Sequence, residues 1–115
     1  MDTIRQKLSS FLIETAHKSI NALEPQSPCA KQLSQIENVD SVIAEEIKRI
    51  CEAATLSEIT RTLFLTARLK KTSGRKKEAI EKNLKKIAGI LVARVEAESG
   101  PLKFPQSCRR IFLGI

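Results

Sequence analysis

Apolar residues spaced three or four positions apart run through most of this chain, and this spacing constrains its fold more than any other feature. The first such stripe comprises Ile4, Leu8, Phe11, Leu12, Ala16, Ile20 and Leu23. Residues three and four apart share one face of an α-helix, whereas a half-buried strand would alternate apolar and polar residues. No segment has strand periodicity, and no internal repeat stands out. The sequence therefore predicts an all-α protein.

Prolines and capping residues divide this pattern into separate helices. The two prolines within residues 24–28 end the first helix, predicted over residues 3–23, because proline is not tolerated in a helix interior. Ser27 followed by Pro28 is typical of a helix start, and it predicts a short extra helix near residues 28–37.

Three longer helices are predicted after this short one. The second main helix ends before Thr55, because Thr55 and Glu58 have the spacing of a capping box that would start the third helix. The fourth helix is predicted over residues 75–99, and Gly100 with Pro101 would end it. The stripe of the third helix is formed by Leu56, Ile59, Leu63, Phe64 and Ala67.

Four main helices with short connections predict an antiparallel bundle. The chain has 115 residues, enough for one hydrophobic core without disulfide or metal support. We expect residues 1–100 to form the bundle and residues 101–115 to form a C-terminal tail of the same domain. The segment 87–95 is apolar on nearly every side and should be central, with Ala88 and Gly89 allowing a close helix approach. It could also be buried across a two-fold interface, so a homodimer is compatible with the sequence.

The C-terminal tail ends on apolar residues, which is unusual for a free terminus. Two interpretations stay open: the tail folds back over the bundle, or it inserts into a partner. In the second case the contact residues would be Phe104, Ile111, Phe112, Leu113 and Ile115.

The three cysteines favour a reducing environment. Cys29, Cys51 and Cys108 are odd in number and form no C-x-x-C pair, which predicts free thiols, and Cys51 falls on an apolar stripe. No signal peptide is recognisable, and no window approaches the roughly 20 apolar residues of a membrane span. The expected location is cytoplasmic, with no transmembrane segment.

The positive charge of the chain is concentrated in one stretch. Residues 68–86 carry nine cations and two carboxylates, an excess that equals the net charge of +7 of the whole chain. The cations are Arg68, Lys70, Lys71, Arg75, Lys76, Lys77, Lys82, Lys85 and Lys86. Because this stretch spans the bend between the last two helices, the sequence predicts a basic helical hairpin that could bind an anion or an acidic partner.

The two halves of this stretch differ in local electrostatics. Cations in the last turn of a helix, such as Arg68, are stabilised by the negative end of the helix dipole, whereas Arg75 and Lys76 would lie at the positive end of the next helix. Three lysine–glutamate pairs at i,i+4 spacing could offset this cost: Lys77 with Glu81, Glu78 with Lys82, and Glu81 with Lys85. Arg75, Lys76 and Lys86 have no carboxylate four residues away. These three cations are therefore the first candidates for binding.

Enzymatic function is disfavoured because the required residues are missing. His17 is the only histidine, and Glu14 with His17 has the Glu-x-x-His spacing of di-iron bundles but no second copy. No glycine-rich phosphate loop or G-x-S-x-G motif occurs. Cys108 beside Arg109 is a weak candidate for a reactive thiol. We expect neither catalysis nor a cofactor or metal.

Two functions follow from these observations. The first is protein–protein interaction with an acidic partner, as an adaptor, inhibitor or regulator, through the basic hairpin. The alternative is nucleic-acid binding by the same cations, which would be salt-sensitive and weakly specific. The absence of Tyr and Trp disfavours single-strand recognition by aromatic stacking.

Overall fold

The computed structural model describes residues 3–113, and every regular element in that range is helical. The α-helices are α1 (Thr3–Asn21), α2 (Pro28–Ser34), α3 (Val39–Ala53), α4 (Leu56–Leu69) and α5 (Arg75–Ser99), and a 3₁₀ helix, Gln106–Leu113, follows. Helix α1 packs against α3 and α4, and α5 packs against α4 and α3. The predicted all-α bundle of four main helices with a short extra helix is confirmed.

Two helix starts, those of α4 and α2, follow the predicted capping chemistry. The Thr55 hydroxyl accepts a hydrogen bond from the Glu58 amide (3.2 Å), and the Glu58 carboxylate accepts one from the Thr55 amide (2.8 Å). This capping box satisfies amides that have no partner within the helix. Ser27 caps α2 in a similar way, because its hydroxyl accepts from the Ala30 amide (3.2 Å).

The core is mainly aliphatic and is built chiefly from residues of α1, α3, α4 and α5. Its most completely buried large side chains include Leu8, Ile43, Ile47, Ile59 and Leu84. A cavity of about 30 Å³ remains between α1, α3, α4 and α5. That volume corresponds to about one water molecule, so the cavity is too small for an organic ligand.

Two predicted apolar stripes differ from the structure. In α4 the buried residues are Ile59, Thr62, Leu65 and Thr66, whereas Phe64 and Leu56 are exposed. The threonines can be buried because their hydroxyls bond to carbonyls of their own helix, Thr62 to Glu58 (2.8 Å) and Thr66 to Leu63 (3.0 Å). The helix is thus rotated relative to the prediction, and it turns Phe64 to the surface.

The segment 87–95 is only partly central. Leu91, Val92 and Val95 are buried, but Ile90 is 48% exposed. A Cβ placed on Gly89 would meet no atom within 4 Å, so no helix approaches closely there. The predicted close approach at Gly89 is wrong.

The C-terminal segment folds back onto the bundle. Phe104, Cys108 and Ile111 belong to the main core cluster and are at most 4% exposed. The 3₁₀ helix packs against α1, α5 and α2, and a disulfide joins Cys108 to Cys29 of α2. The prediction of three free thiols is therefore wrong for Cys29 and Cys108. Sequence spacing could not reveal this pair, because its members are 79 residues apart.

Buried polar groups hold the same segment in place. The Glu46 carboxylate, whose side chain is 3% exposed, accepts two bonds from Arg49 Nη1 (2.9 Å each) and one from the Lys103 amide (3.2 Å). The Glu96 carboxylate accepts from the Leu102 amide (3.1 Å) and pairs with Arg109 (3.5 Å). Both helices α3 and α5 are thereby linked to residues that follow α5.

Candidate basic interface

The basic hairpin, residues 68–86, is built from the end of α4, the connection 70–74 and the first half of α5. Helix α5 begins after Gly74, which has φ +69 and no side chain to bond to the first helical amides. This backbone conformation is strained for residues with a side chain, which explains glycine at this bend. The bend thus places the end of α4 next to the start of α5.

All nine cations of the basic hairpin are exposed. Within residues 3–113, none of them lies within 4.0 Å of a carboxylate oxygen. The described ion pairs are all formed by other residues. The three i,i+4 pairs predicted within α5 are therefore not formed. The cations of the hairpin are therefore exposed to solvent and form none of the described ion pairs.

Aromatic rings hold two of these cations. The Arg68 guanidinium lies over the ring of Phe64, 5.7 Å from its centroid. The Lys70 ammonium lies 5.3 Å from the ring centroid of Phe11 in α1. Lys70 is therefore turned toward α1, whereas Arg68 stays on the outward face of α4.

The two helices present the remaining cations in different ways. Arg75, Lys82 and Lys86 are seven and four residues apart, so they share the outward face of α5. Lys71 lies in the connection that follows α4 and is exposed. The exposed cations of the predicted basic surface therefore lie on two helices and on the connection between them.

Phe64 is the residue that sequence reasoning missed. Its side chain is 60% exposed, although its position fits an apolar stripe. The sequence did contain a signal for the exposure of Phe64: Thr62, Leu65 and Thr66 form a second, moderately polar stripe on the opposite face of the helix. Aliphatic spacing alone predicted a stripe that is only partly buried: Ile59 and Leu63 contact the core, but Thr62 and Thr66 are buried in place of Phe64 and Leu56 because backbone carbonyls can satisfy their hydroxyls.

The other candidate residues do not assemble into a reactive site. His17 Nδ1 lies 3.5 Å from Asp40 Oδ1 at the surface, and Glu14 pairs with Lys18 (3.6 Å). In the described part of the chain, no group of three His, Cys, Asp or Glu side chains could hold a metal ion. Cys108 is held in the disulfide, so the idea of a reactive thiol at this position is wrong.

Cys51 is the one described free cysteine, and it is buried as predicted. Burial raises the pKa of its thiol to about 11, against a weaker opposing effect of Arg5. The thiolate is therefore scarce at neutral pH. Arg5 itself donates to the carbonyl oxygens of Cys51 (2.6 Å), Glu52 (3.3 Å) and Ala54 at the end of α3.

Two of the five tail residues that the sequence predicted as an apolar contact surface are not exposed. Phe104 and Ile111 are buried in the core. Ile115 and the side chains of Phe112 and Leu113 lie outside what the structure describes. Among residues 3–113, no helix is both long and apolar enough to cross a membrane.

Comparison with known proteins identified no relative: no family model, no curated protein and no solved structure matches this chain. The geometry of the basic interface is therefore the main guide to function.

Proposed function

We propose that this protein acts without catalysis, by binding an acidic partner protein as an adaptor, inhibitor or regulator through its basic hairpin. The observation that carries this proposal is the set of nine exposed cations without a described carboxylate within 4.0 Å. Unpaired surface cations steer an oppositely charged partner and increase its association rate.

The residues at the start of α5 support this proposal most specifically. Arg75 and Lys76 occupy the first turn, where the helix dipole disfavours cations by a few tenths of a kcal/mol each. Their placement opposes local stability, which favours a role in binding. Lys86 extends the same face and has no carboxylate four residues away.

The folded-back tail reduces the set of surfaces that could contact the partner. Phe104 and Ile111 contribute to the core, so neither can be a partner contact while the segment is folded. The basic hairpin is therefore the contact surface that we propose, without the C-terminal tail.

The proposal can be tested with a triple charge reversal, Arg75→Glu, Lys76→Glu and Lys86→Glu. Two of these changes place carboxylates in the first turn of α5, where the dipole favours them, so loss of binding would not reflect a weakened helix. A matched control is Lys7→Glu, Lys31→Glu and Lys48→Glu, which reverses three exposed cations elsewhere and changes the net charge equally.

Proteins captured from the source cells would be compared between parent, reversal variant and control. The proposal expects an acidic protein that is retained by the parent and the control but lost by the reversal variant. Equal capture by all three proteins would refute it.

Nucleic-acid binding is the second candidate, because the same exposed cations could contact phosphates. Such binding weakens steeply with salt, and it is strongest at low ionic strength. A titration of duplex DNA and of RNA at about 50 mM salt separates the candidates. Binding that the triple reversal abolishes would favour the second candidate, and no binding by the parent would exclude it.

The disulfide changes the expected compartment. A cytoplasmic, reducing location was predicted from free thiols, but Cys29 and Cys108 are joined. Since disulfides persist mainly under oxidising conditions, we propose that the chain acts in an oxidising environment. Alkylation of intact cells before lysis tests this: one modified cysteine is expected, and three would restore the cytoplasmic prediction.

A homodimer remains a separate proposal, favoured by the exposed Ile90 on α5. Sedimentation analysis over a range of protein concentrations tests it, and Ile90→Lys should shift a dimer to monomer. A sedimentation coefficient that does not change with concentration or with this substitution would speak for the monomer.

A further inference from the structure

The outward face of α4 carries a row of residues that the basic hairpin alone does not explain. Within α4, Ser57, Arg61, Phe64 and Arg68 follow one another at spacings of four, three and four, and Lys71 lies in the connection just beyond the helix. Residues at this spacing form a continuous row along one side of a helix. At about 1.5 Å per residue, the helical row from Ser57 to Arg68 is about 17 Å long.

Phe64 lies at the centre of this row and is 60% exposed. The residues three and four positions from it are Thr60, Arg61, Ala67 and Arg68, and all four are exposed. None of them is acidic. An exposed ring between arginines is the kind of contact that contributes most to protein interfaces, where aromatic and arginine side chains dominate binding energy.

The Arg68 guanidinium is already positioned against this ring, 5.7 Å from its centroid. Holding a long side chain over a ring reduces the conformational freedom that binding would otherwise remove. Arg61 and Arg68 have no described ion pair, so their charges are available to a partner.

The sole acidic residue of α4 is directed away from the row. Glu58 accepts hydrogen bonds from Arg94 of α5, at 2.7 and 2.9 Å, and from the Thr55 amide. Phe64 consequently lies between two arginines, Arg61 and Arg68, in a row that carries no acidic side chain. A complementary surface must be apolar opposite Phe64 and negative on either side of it.

We propose that this row binds an acidic amphipathic helix of a partner protein, with one apolar side chain of that helix packed on Phe64 and its carboxylates on Arg61 and Arg68. A helix fits because its own three and four spacing matches a straight row of this length. The inference rests on the proposed function in that it assumes an acidic protein partner, and it names the shape and anchor of that partner.

A nucleic acid fits this row less well. Single-strand binding uses successive stacking platforms, and Phe64 is the one exposed aromatic side chain among residues 4–109. One face of its ring is already covered by Arg68. A protein helix needs only one apolar contact at this point.

The test uses a synthetic helical peptide of about 18 residues, long enough to span the row, with glutamates at three and four spacing around one central leucine. Affinity would be measured by fluorescence anisotropy at about 150 mM salt, where surface charges are screened beyond about 8 Å. A second peptide with the leucine replaced by serine keeps the charge and removes the anchor.

Phe64→Ala is expected to weaken binding of the leucine peptide about tenfold and to leave binding of the serine peptide nearly unchanged. Arg61→Gln with Arg68→Gln should weaken binding of both peptides. Leu56→Ala is the matched control, because Leu56 is a similarly exposed apolar side chain of α4 that lies off the row, and it should change neither affinity.

The outcomes separate this inference from the proposed function. If the reversal at Arg75, Lys76 and Lys86 abolishes peptide binding while Phe64→Ala and the double arginine variant bind as the parent does, the inference is overturned and the hairpin proposal stands. If only the α4 variants lose binding, the inference holds and Arg75, Lys76 and Lys86 are excluded from the site; if both sets lose binding, the inference and the hairpin proposal both stand. Failure of the parent to bind the leucine peptide, or Phe64-dependent binding of single-stranded RNA instead, overturns the inference.

Discussion

Glu58 and Arg94 join the start of α4 to the C-terminal part of α5 by two parallel hydrogen bonds, Nη1 to Oε1 at 2.7 Å and Nη2 to Oε2 at 2.9 Å. Arg94 Nη1 also donates to the Ala53 carbonyl (2.9 Å), and the Glu58 carboxylate completes the capping box of α4. One carboxylate therefore stabilises a helix start and a contact between helices.

This pair predicts a pH dependence of stability. The hydrogen bonds from Arg94, more than those from Thr55, lower the pKa of Glu58 from its ordinary value of 4.5 to about 2. Because the pKa is lower in the folded state, the stabilisation is present above about 4.5 and is lost as the pH falls toward 2. Glu58→Gln should lower the free energy of unfolding at pH 7, and the difference from the parent should shrink below pH 4.5.

Urea unfolding at several pH values would measure this difference. Glu14→Gln is a suitable control, since Glu14 forms an exposed pair with Lys18 and should have little effect at any pH. A difference between parent and Glu58→Gln that stays constant from pH 7 to pH 2 would contradict the assigned role of Glu58.

The disulfide predicts a large effect on stability. Cys29 and Cys108 close a loop of 79 residues, for which chain entropy gives about 4.5 kcal/mol. A Cys29→Ser, Cys108→Ser double variant should lose about 2–5 kcal/mol of unfolding free energy. Denaturant unfolding with and without reductant measures this, and the double variant itself should not respond to reductant.

Cys51 predicts a protected thiol. With its pKa raised to about 11 by burial, Cys51 should react with iodoacetamide at pH 8 only as fast as the protein opens. Mass spectrometry should show no rapid modification in the folded protein and one modification in urea without reductant. Rapid modification of the native protein would mean that α1 and α3 do not cover Cys51.

Adjacent residues of α4 give a matched test of helix rotation. Leu65 is 8% exposed and Phe64 is 60% exposed. Leu65→Ala should cost about 2–5 kcal/mol of unfolding free energy, as for other buried leucines. Phe64→Ala should change it by about 0.5 kcal/mol or less, because surface substitutions rarely do more. Thermal unfolding of both variants measures this, and a larger loss for Phe64→Ala would restore the predicted stripe.

Local signals predicted the helices well. The capping box at Thr55 and Glu58, the Ser27 cap and the glycines at 74 and 100 each act within a few residues, so their effects can be read from neighbouring letters. Helix α5 has the bounds expected from Gly74 and Gly100, namely Arg75–Ser99. The concentration of positive charge was likewise visible, because charge depends on composition alone.

The candidate site was only partly predictable. The cations of the basic hairpin were identified, but Phe64 was assigned to the core, and the predicted i,i+4 pairs of α5 are not formed. Helix spacing tells which residues share a face, but the neighbouring helices decide which face is buried. In α4 the contacts with α1 and α5 favoured the side of Ile59 and Leu65.

The sequence by itself determined the helical class, the positions of most helix ends and the location of the charge, because these depend on interactions within a few residues. Tertiary structure alone decided the partners of distant residues: Cys29 with Cys108, Glu58 with Arg94, and Lys103 with Glu46. It also decided that Phe64 faces solvent while Phe104 is buried. Such outcomes depend on how whole helices pack, and packing joins residues whose separation along the chain carries no local signal.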